Sequence, residues 1–283
     1  MASPQKSARR SCSREMLDAL TASLQEVATA WRIYRRQPDM ETLHNLRTAV
    51  RQSRVLISFG VYPEPARQCG EHLKQVARTL GPARDLDVSL ALLQDLDKPG
   101  GKKCTAAYRQ LRSRLTARRR NRYTAIHRLA ETPGGKTLHR HISRAIQELR
   151  EFEQKARPEA TLHTGKVLVE KTVRRIRRKR NLAQSSNEQK LHELRILIRR
   201  LRYLHTLMPS LFTRETQALY EKLRTCERRL GKLHDVDMVL QFLAEAEDAA
   251  LQPLIAEARL VRRKRRKRFQ DAWKKLPKGF QKT

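Results

Sequence analysis

Apolar residues recur every three or four positions along most of the chain, the spacing of helix faces, and strand signals are nearly absent. Leu43, Leu46, Val50 and Ile57 form one such stripe, and Leu191, Leu194 and Ile198 another. With Leu, Ala, Arg, Lys, Gln and Glu dominating the composition, the pattern predicts an all-α protein. A first helix is expected from about Arg14 to Arg36. Pro38 and Asp39 interrupt it, and Asp39 is placed to cap the next helix, which Gly60 and the Pro63/Pro65 pair should stop. A helix over Ala66 to Leu80 then meets Gly81-Pro82, where a break and a new helix start are expected. Joints at Lys98-Pro99-Gly100-Gly101 and Pro133-Gly134-Gly135 bracket a long basic helix from about Lys103 to Ala130, and another helix follows from about Lys136 to Ala156. Pro158 opens a second series. Its first helix ends in a run of cations at Lys171 to Arg180, and Ser185-Ser186-Asn187 leads into a helix that Pro209 stops. Helices from about Thr213 to Leu230 and from about Pro253 complete the set.

The polar positions on two of these helices repeat. His44 is followed by Arg47, Arg51 and Arg54, and His192 by Arg195, Arg199 and Arg202, with the same spacing. At 100° per residue each set of four falls within roughly 80°, a single stripe on one helix face. That stripe adjoins the apolar one, so the cations line the border of the core, whereas an ordinary amphipathic helix carries its charges opposite. For one helix the simple reading is arginine stems laid along the core edge with their heads in water. Two copies in the same phase favour a pair of basic stripes facing one shared cavity.

A second pattern follows each stripe. Lys74 and Arg78 lie one turn apart, ahead of Gly81-Pro82-Ala83-Arg84-Asp85-Leu86-Asp87. Arg224 and Arg228 precede Gly231-Lys232-Leu233-His234-Asp235-Val236-Asp237. His44 to Asp87 spans 43 positions and His192 to Asp237 spans 45, so the two regions read as an internal duplication offset by about 150. Asp85 sits where a carboxylate favours a helix start, and Arg84 with Asp87 is a natural local ion pair. The aspartates at these positions are expected to orient arginines.

Charge narrows the function. Sixty-two Lys and Arg face 29 Asp and Glu, a net charge of +33 that favours a polyanionic partner: nucleic acid, an anionic membrane surface or inorganic polyphosphate. Trp, Tyr and Phe make up only 5% of residues and read as core, so binding to nucleic acid is expected to be weak and by charge alone. Cys12, Cys69, Cys104 and Cys226 are scattered without metal or redox spacing, which fits a reducing cytoplasm, and no apolar run is long enough for a membrane span. Ala130 to Thr137 satisfies a loose phosphate-loop pattern, but such a loop follows a strand and this one follows a helix. His44, Asp87, His192, His234 and Asp237 are ligand types, yet Arg47, Arg51, Arg195 and Arg199 would repel a divalent cation. No nucleophile–base spacing stands out. The reading is a binding protein, not an enzyme, with no metal and no cofactor.

The doubled His-x-x-Arg-x-x-x-Arg-x-x-Arg helix, each copy followed by Leu-Gly-x-x-(Arg/His)-Asp-x-Asp, resembles the conserved histidine α-helical domain family, CHAD. The resemblance covers about residues 14–275, with a first half over 14–157 and a second over 158–275, between a disordered basic lead-in at 1–13 and a tail at 276–283. It implies a helical bundle of two pseudo-twofold related halves around a basic central groove or pore that binds inorganic polyphosphate, in a protein associated with polyphosphate granules. By position it assigns His44, Arg47, Arg51, Arg54 and Arg84 with Asp85 and Asp87, and His192, Arg195, Arg199, Arg202 and His234 with Asp235 and Asp237. Lys74, Arg78, Arg224, Arg228 and Lys232 join them as candidate phosphate contacts. Two departures stand out: Pro82 in the first copy, and His234 where the pattern has arginine. No Glu-x-Glu-x-Lys stretch of a triphosphate tunnel domain occurs, so the expectation is a stand-alone binding module.

Overall fold

A computed structural model describes residues 4–58, 62–97, 106–131, 133–155 and 158–280. Among them run nine α-helices: α1 (Pro4–Arg36), α2 (Met40–Ile57), α3 (Glu64–Asp97), α4 (Ala106–Glu131), α5 (Pro133–Lys155), α6 (Pro158–Arg178), α7 (Glu188–Leu207), α8 (Arg214–Glu245) and α9 (Gln252–Trp273). Short 3₁₀ turns join several of them, and no strand occurs among the described residues. The all-α reading is therefore correct. Helix α1 begins at Pro4, upstream of the expected start at Arg14. The expected stop at Gly60 and the joint at Lys98 to Gly101 lie outside the described residues.

Local signals explain α2. The Asp39 carboxylate accepts from the backbone N–H groups of Glu41 and Thr42, and the Asp39 N–H donates to the Thr42 hydroxyl, a reciprocal cap. Two otherwise orphaned donors are thereby satisfied at the entrance of the first motif helix.

The expected break at Gly81-Pro82 does not occur: α3 is continuous from Glu64 to Asp97 with Pro82 inside it. An interior proline removes one backbone bond and costs about 3 kcal/mol. Leu80, Ala83 and Leu86 flank it and are all buried, and at about 1.5–3 kcal/mol for each leucine their burial offsets that loss. Helix α8 likewise passes through Gly231 without a break.

The chain clusters into two compact units that do not follow chain order. The first comprises residues 1–82, 122–172 and 200–214. In it α1 packs on α2 and α5, with Leu20, Leu24, Val27 and Tyr34 of α1 fully buried. Ser23 of α1 and Ser53 of α2 share a buried hydrogen bond of 2.7 Å, which satisfies both hydroxyls where the helices meet. The second unit comprises residues 83–121, 173–199 and 215–283. Its core joins Leu86 and Leu93 of α3, Tyr108, Leu111 and Leu115 of α4, Val236, Val239 and Leu243 of α8, and Ala258 of α9.

The expected tail folds back as far as Phe280. Leu276 and Phe280 are buried, the Trp273 Nε1–H donates to the Phe280 carbonyl at 3.1 Å, and the Arg177 guanidinium lies 5.1 Å from the Phe280 ring centroid. The phosphate-loop pattern at Ala130 to Thr137 joins the end of α4 to the start of α5, so the strand that such a loop requires is absent.

Candidate anion site

In the first unit α2 sets the basic stripe at the core border, as its phase predicted. Leu43, Leu46 and Val50 are fully buried, His44 is exposed, and Arg47, Arg51 and Arg54 are half-buried. Arg47 Nη1 donates to the Gly81 carbonyl at 2.6 Å, tying α2 to α3 beside Pro82. Burial pushes the Arg54 guanidinium below its usual pKa; Glu71 opposes that shift and Arg78 adds to it. Glu71 also holds Lys74 at 3.0 Å. Arg54, Lys74 and Arg78, which lie on two different helices, thus belong to one charged cluster. Arg202 of α7 is half-buried, with its guanidinium 5.0 Å from the Tyr203 ring centroid, and Arg200 Nη2 donates to the Ser58 hydroxyl at 2.8 Å.

In the second unit the other copy converges more tightly. The His192 and His234 rings sit 4.7 Å apart, so the histidine that replaces the family's arginine packs directly on the motif histidine. Arg195 is pushed down to about 10 by its burial and by Arg199, against the opposing pull of Asp235, Glu227 and Asp85. Arg199 Nε lies 3.2 Å from Glu227 Oε1, and both side chains are nearly out of water at 12% and 7% exposure. Arg224, Arg228 and Lys232 of α8 are exposed, with Glu221 3.7 Å from Arg224.

The two motif copies share a carboxylate centre here. Asp235 is raised above the ordinary carboxylate value, first by burial and also by Asp85, while Arg195, Arg265 and Arg84 pull it down. Asp85 and Arg84 of the first copy therefore act on Asp235 and Arg195 of the second.

Asp87, for which the sequence suggested Arg84 as a local partner, makes a longer-range pair. Asp87 is buried and accepts from Arg119 Nε of α4 at 2.5 Å. Its counterpart Asp237 accepts from Arg262 Nε of α9 at 2.6 Å, and Glu188 lies 3.5 Å from the same guanidinium. Burial raises Asp237, and the bond to Arg262 opposes this. Arg119 was not singled out in the sequence, and Arg262 stood out there only as the start of the unbroken C-terminal cation run Arg262 to Arg268. The available signal was that each Asp-x-Asp motif is followed, 32 and 25 positions after its second aspartate, by an arginine in a basic helix. From the same C-terminal run, Arg265 Nη1 donates to the Lys232 carbonyl at 2.5 Å and Arg266 Nη2 to the Gln184 carbonyl at 3.0 Å. Lys179 bonds Glu193 on the motif helix.

Cys69 and Cys226 are free and buried, each thiol pushed up to about 12 chiefly by burial, and so chemically quiet. Among the described residues no group of three His, Cys, Asp or Glu is placed to hold a metal ion, and no helix is long and apolar enough to cross a membrane.

No curated protein matches the chain. Solved structures that share its fold include the following two. The CHAD domain from the plant Ricinus communis matches with a TM-score of 0.71 at 19% identity, over 95% of this chain and 91% of the other. PptA from Streptomyces chartreusis matches with a TM-score of 0.69 at 17% identity, over 93% of this chain and 99% of the other. The CHAD domain family model matches residues 18–244, which takes in both histidine helices and both Asp-x-Asp motifs, and the chain belongs to that family.

Proposed function

We infer that this protein binds inorganic polyphosphate through the motif cations and is a binding module, not an enzyme. One observation carries the reading: in both units motif cations are held against like charges and partly out of water. Arg195 is depressed by burial and Arg199, and Arg54 by burial and Arg78. Burial disfavours the charge in each case and the neighbouring carboxylates offset it only in part, so a phosphate anion would complete the compensation; membership of a family linked to polyphosphate supports the choice of anion. Arginine forks take phosphate oxygens in pairs, while Lys74 and Lys232 act as point charges. The carboxylates at Asp85, Asp87, Asp235 and Asp237 orient the arginines around them.

Binding of this kind releases counterions, so affinity should fall steeply with salt. Occupancy also stabilises the fold, by about 2.7 kcal/mol at a hundredfold excess over Kd. The test is a thermal melt with long-chain polyphosphate beside a DNA strand of equal charge. Stabilisation by polyphosphate well beyond that by DNA is expected, and equal stabilisation would make the protein a general polyanion binder. A phosphate-release assay with magnesium is expected to stay flat; release would make it a polyphosphate-processing enzyme. Association with polyphosphate granules in the cytoplasm follows from the same reading, and is tested by imaging a tagged protein in cells with and without polyphosphate.

A further inference from the structure

The two motif copies differ in the kind of cation they carry at one position. Where the first has Arg84 ahead of Asp85 and Asp87, the second has His234 ahead of Asp235 and Asp237. Arginine keeps its charge throughout the physiological range, whereas histidine gains or loses its own near neutrality. His234 is half-buried, and its ring lies 4.7 Å from that of His192, also half-buried, at an interplanar angle of 45°. Two titratable rings thus meet in the second copy, where the pattern of the first supplies one histidine and one arginine.

The charged groups around these rings come from α3, α7, α8 and α9, all within the second unit. Helix α7 carries Glu188 one turn before His192 and Arg195 one turn after it, and α8 carries Asp235 next to His234 and Asp237 one turn on. From α9, Arg265 acts on Asp235, while Arg262 bonds Asp237 and lies 3.5 Å from Glu188. From α3, Arg84 and Asp85 act on the same Asp235. These four arginines and four carboxylates cancel in number, and Arg199 with Glu227 and Lys179 with Glu193 close two further pairs. Against that balance, the state of the two imidazoles sets the net charge that an incoming phosphate meets.

We propose that His234 makes polyphosphate binding at the second copy proton-coupled: the His192–His234 pair takes up a proton as a phosphate group docks, so the protein grips polyphosphate more tightly in mildly acid than in mildly basic surroundings. This rests on the motif site binding polyphosphate. Neutral imidazole has one N–H donor and imidazolium has two, so protonation adds both a charge and a donor for a phosphate oxygen. Two imidazolium rings this close repel one another, and an anion against them removes that penalty. Binding and protonation therefore favour each other, by the same factor in both directions. The inner phosphates of a long chain stay ionised across this range, so titration of the ligand does not produce the effect.

The test measures binding of long-chain polyphosphate to the full chain between about pH 6 and pH 8 at constant ionic strength, by calorimetry in buffers of different ionisation enthalpy, which reads proton uptake directly. Wild type should bind about fivefold more tightly at pH 6 than at pH 8 and take up a substantial fraction of a proton at about pH 7. H234R should bind at pH 8 nearly as tightly as wild type at pH 6, with the ratio cut to within about twofold and proton uptake at least halved. H234Q, uncharged at every pH, should bind at about pH 6 as weakly as wild type does at pH 8. Both variants keep Asp235, so its titration is not what separates them from wild type. A flat wild-type profile without proton uptake, or variant profiles as steep as that of wild type, would overturn the proton coupling and leave the motif reading standing. If wild type binds no polyphosphate at any pH, both readings fall. Should one variant fail to fold, the other and the proton uptake of wild type decide.

Discussion

Arg262 Nε donates to Asp237 Oδ1 at 2.6 Å, and that bond fastens the C-terminal basic run to the middle of α8. The aspartate is buried and the guanidinium mostly so, at 18% exposure. Charge-assisted bonds of this kind contribute about 1.5–3 kcal/mol. Asp237→Ala should therefore lower stability by about 2 kcal/mol, read as the urea midpoint at constant m-value. Because Arg262→Ala removes the same bond, the double variant should lose less than the sum of the two singles. Additive losses would mean that the pair does not act as a unit.

Arg199→Ala should behave as a folding variant before it behaves as a binding variant. It removes the cation opposite buried Glu227, and breaking such a pair costs about 3 kcal/mol. Adding Glu227→Gln should restore part of the stability, measured by denaturant unfolding, and leave the salt-dependent binding defect in place. Recovery of binding together with stability would move Arg199 out of the ligand contacts.

The pH dependence has a definite sign at Asp235. Burial raises its carboxyl above the ordinary value of 3.8, so the folded state holds the proton more tightly than the unfolded one. Its contribution is fully present below about pH 3.8 and is lost as pH rises through the raised value. Asp235→Asn removes the titration. The difference in unfolding free energy between wild type and variant should shift against wild type as pH rises from about 3.5 to 6, and a flat difference would show that Arg195 and Arg265 fully compensate the burial.

Glycines in the helices divide by their surroundings. A Cβ at Gly231 would sit 3.7 Å from Arg195 Nη2, an ordinary contact, and one at Gly81 would meet nothing within 4 Å. Each replacement by alanine should raise stability by about 0.5–1 kcal/mol, the intrinsic helix preference. At Gly135 a Cβ would overlap the Ala130 carbonyl, so Gly135→Ala should destabilise. Thermal melts of the three variants decide the ordering.

Phe280 anchors the chain end with 1% of its surface exposed. Phe280→Ala should cost about 3 kcal/mol and lower Tm by several degrees. An unchanged melt would mean that the last turn does not brace Trp273 and Arg177.

Periodicity and spacing were enough to place the motif arginines of α2 and α7 at the core border, though His44 ahead of them is exposed, because side-chain direction on a helix follows from the 3.6-residue repeat alone. Asp39 announced its cap for the same reason: the bond it makes is local. Pro82 misled, since a proline's local penalty says nothing of how much burial on either side holds a helix together. Composition raised the expectation of a polyanionic partner, and the two ordered motif pairs indicated the family.

What the linear pattern left open is which charges neutralise which. Arg84 is three residues from Asp87, yet Asp87 takes Arg119; Arg199 stands in the motif, yet its Nε meets Glu227 on α8. The two compact units interleave segments from both copies, and the first copy's Arg84 and Asp85 act on the second copy's Asp235. Helical phase fixes the face on which a charge appears, and only the packing of distant helices fixes the partner that waits there.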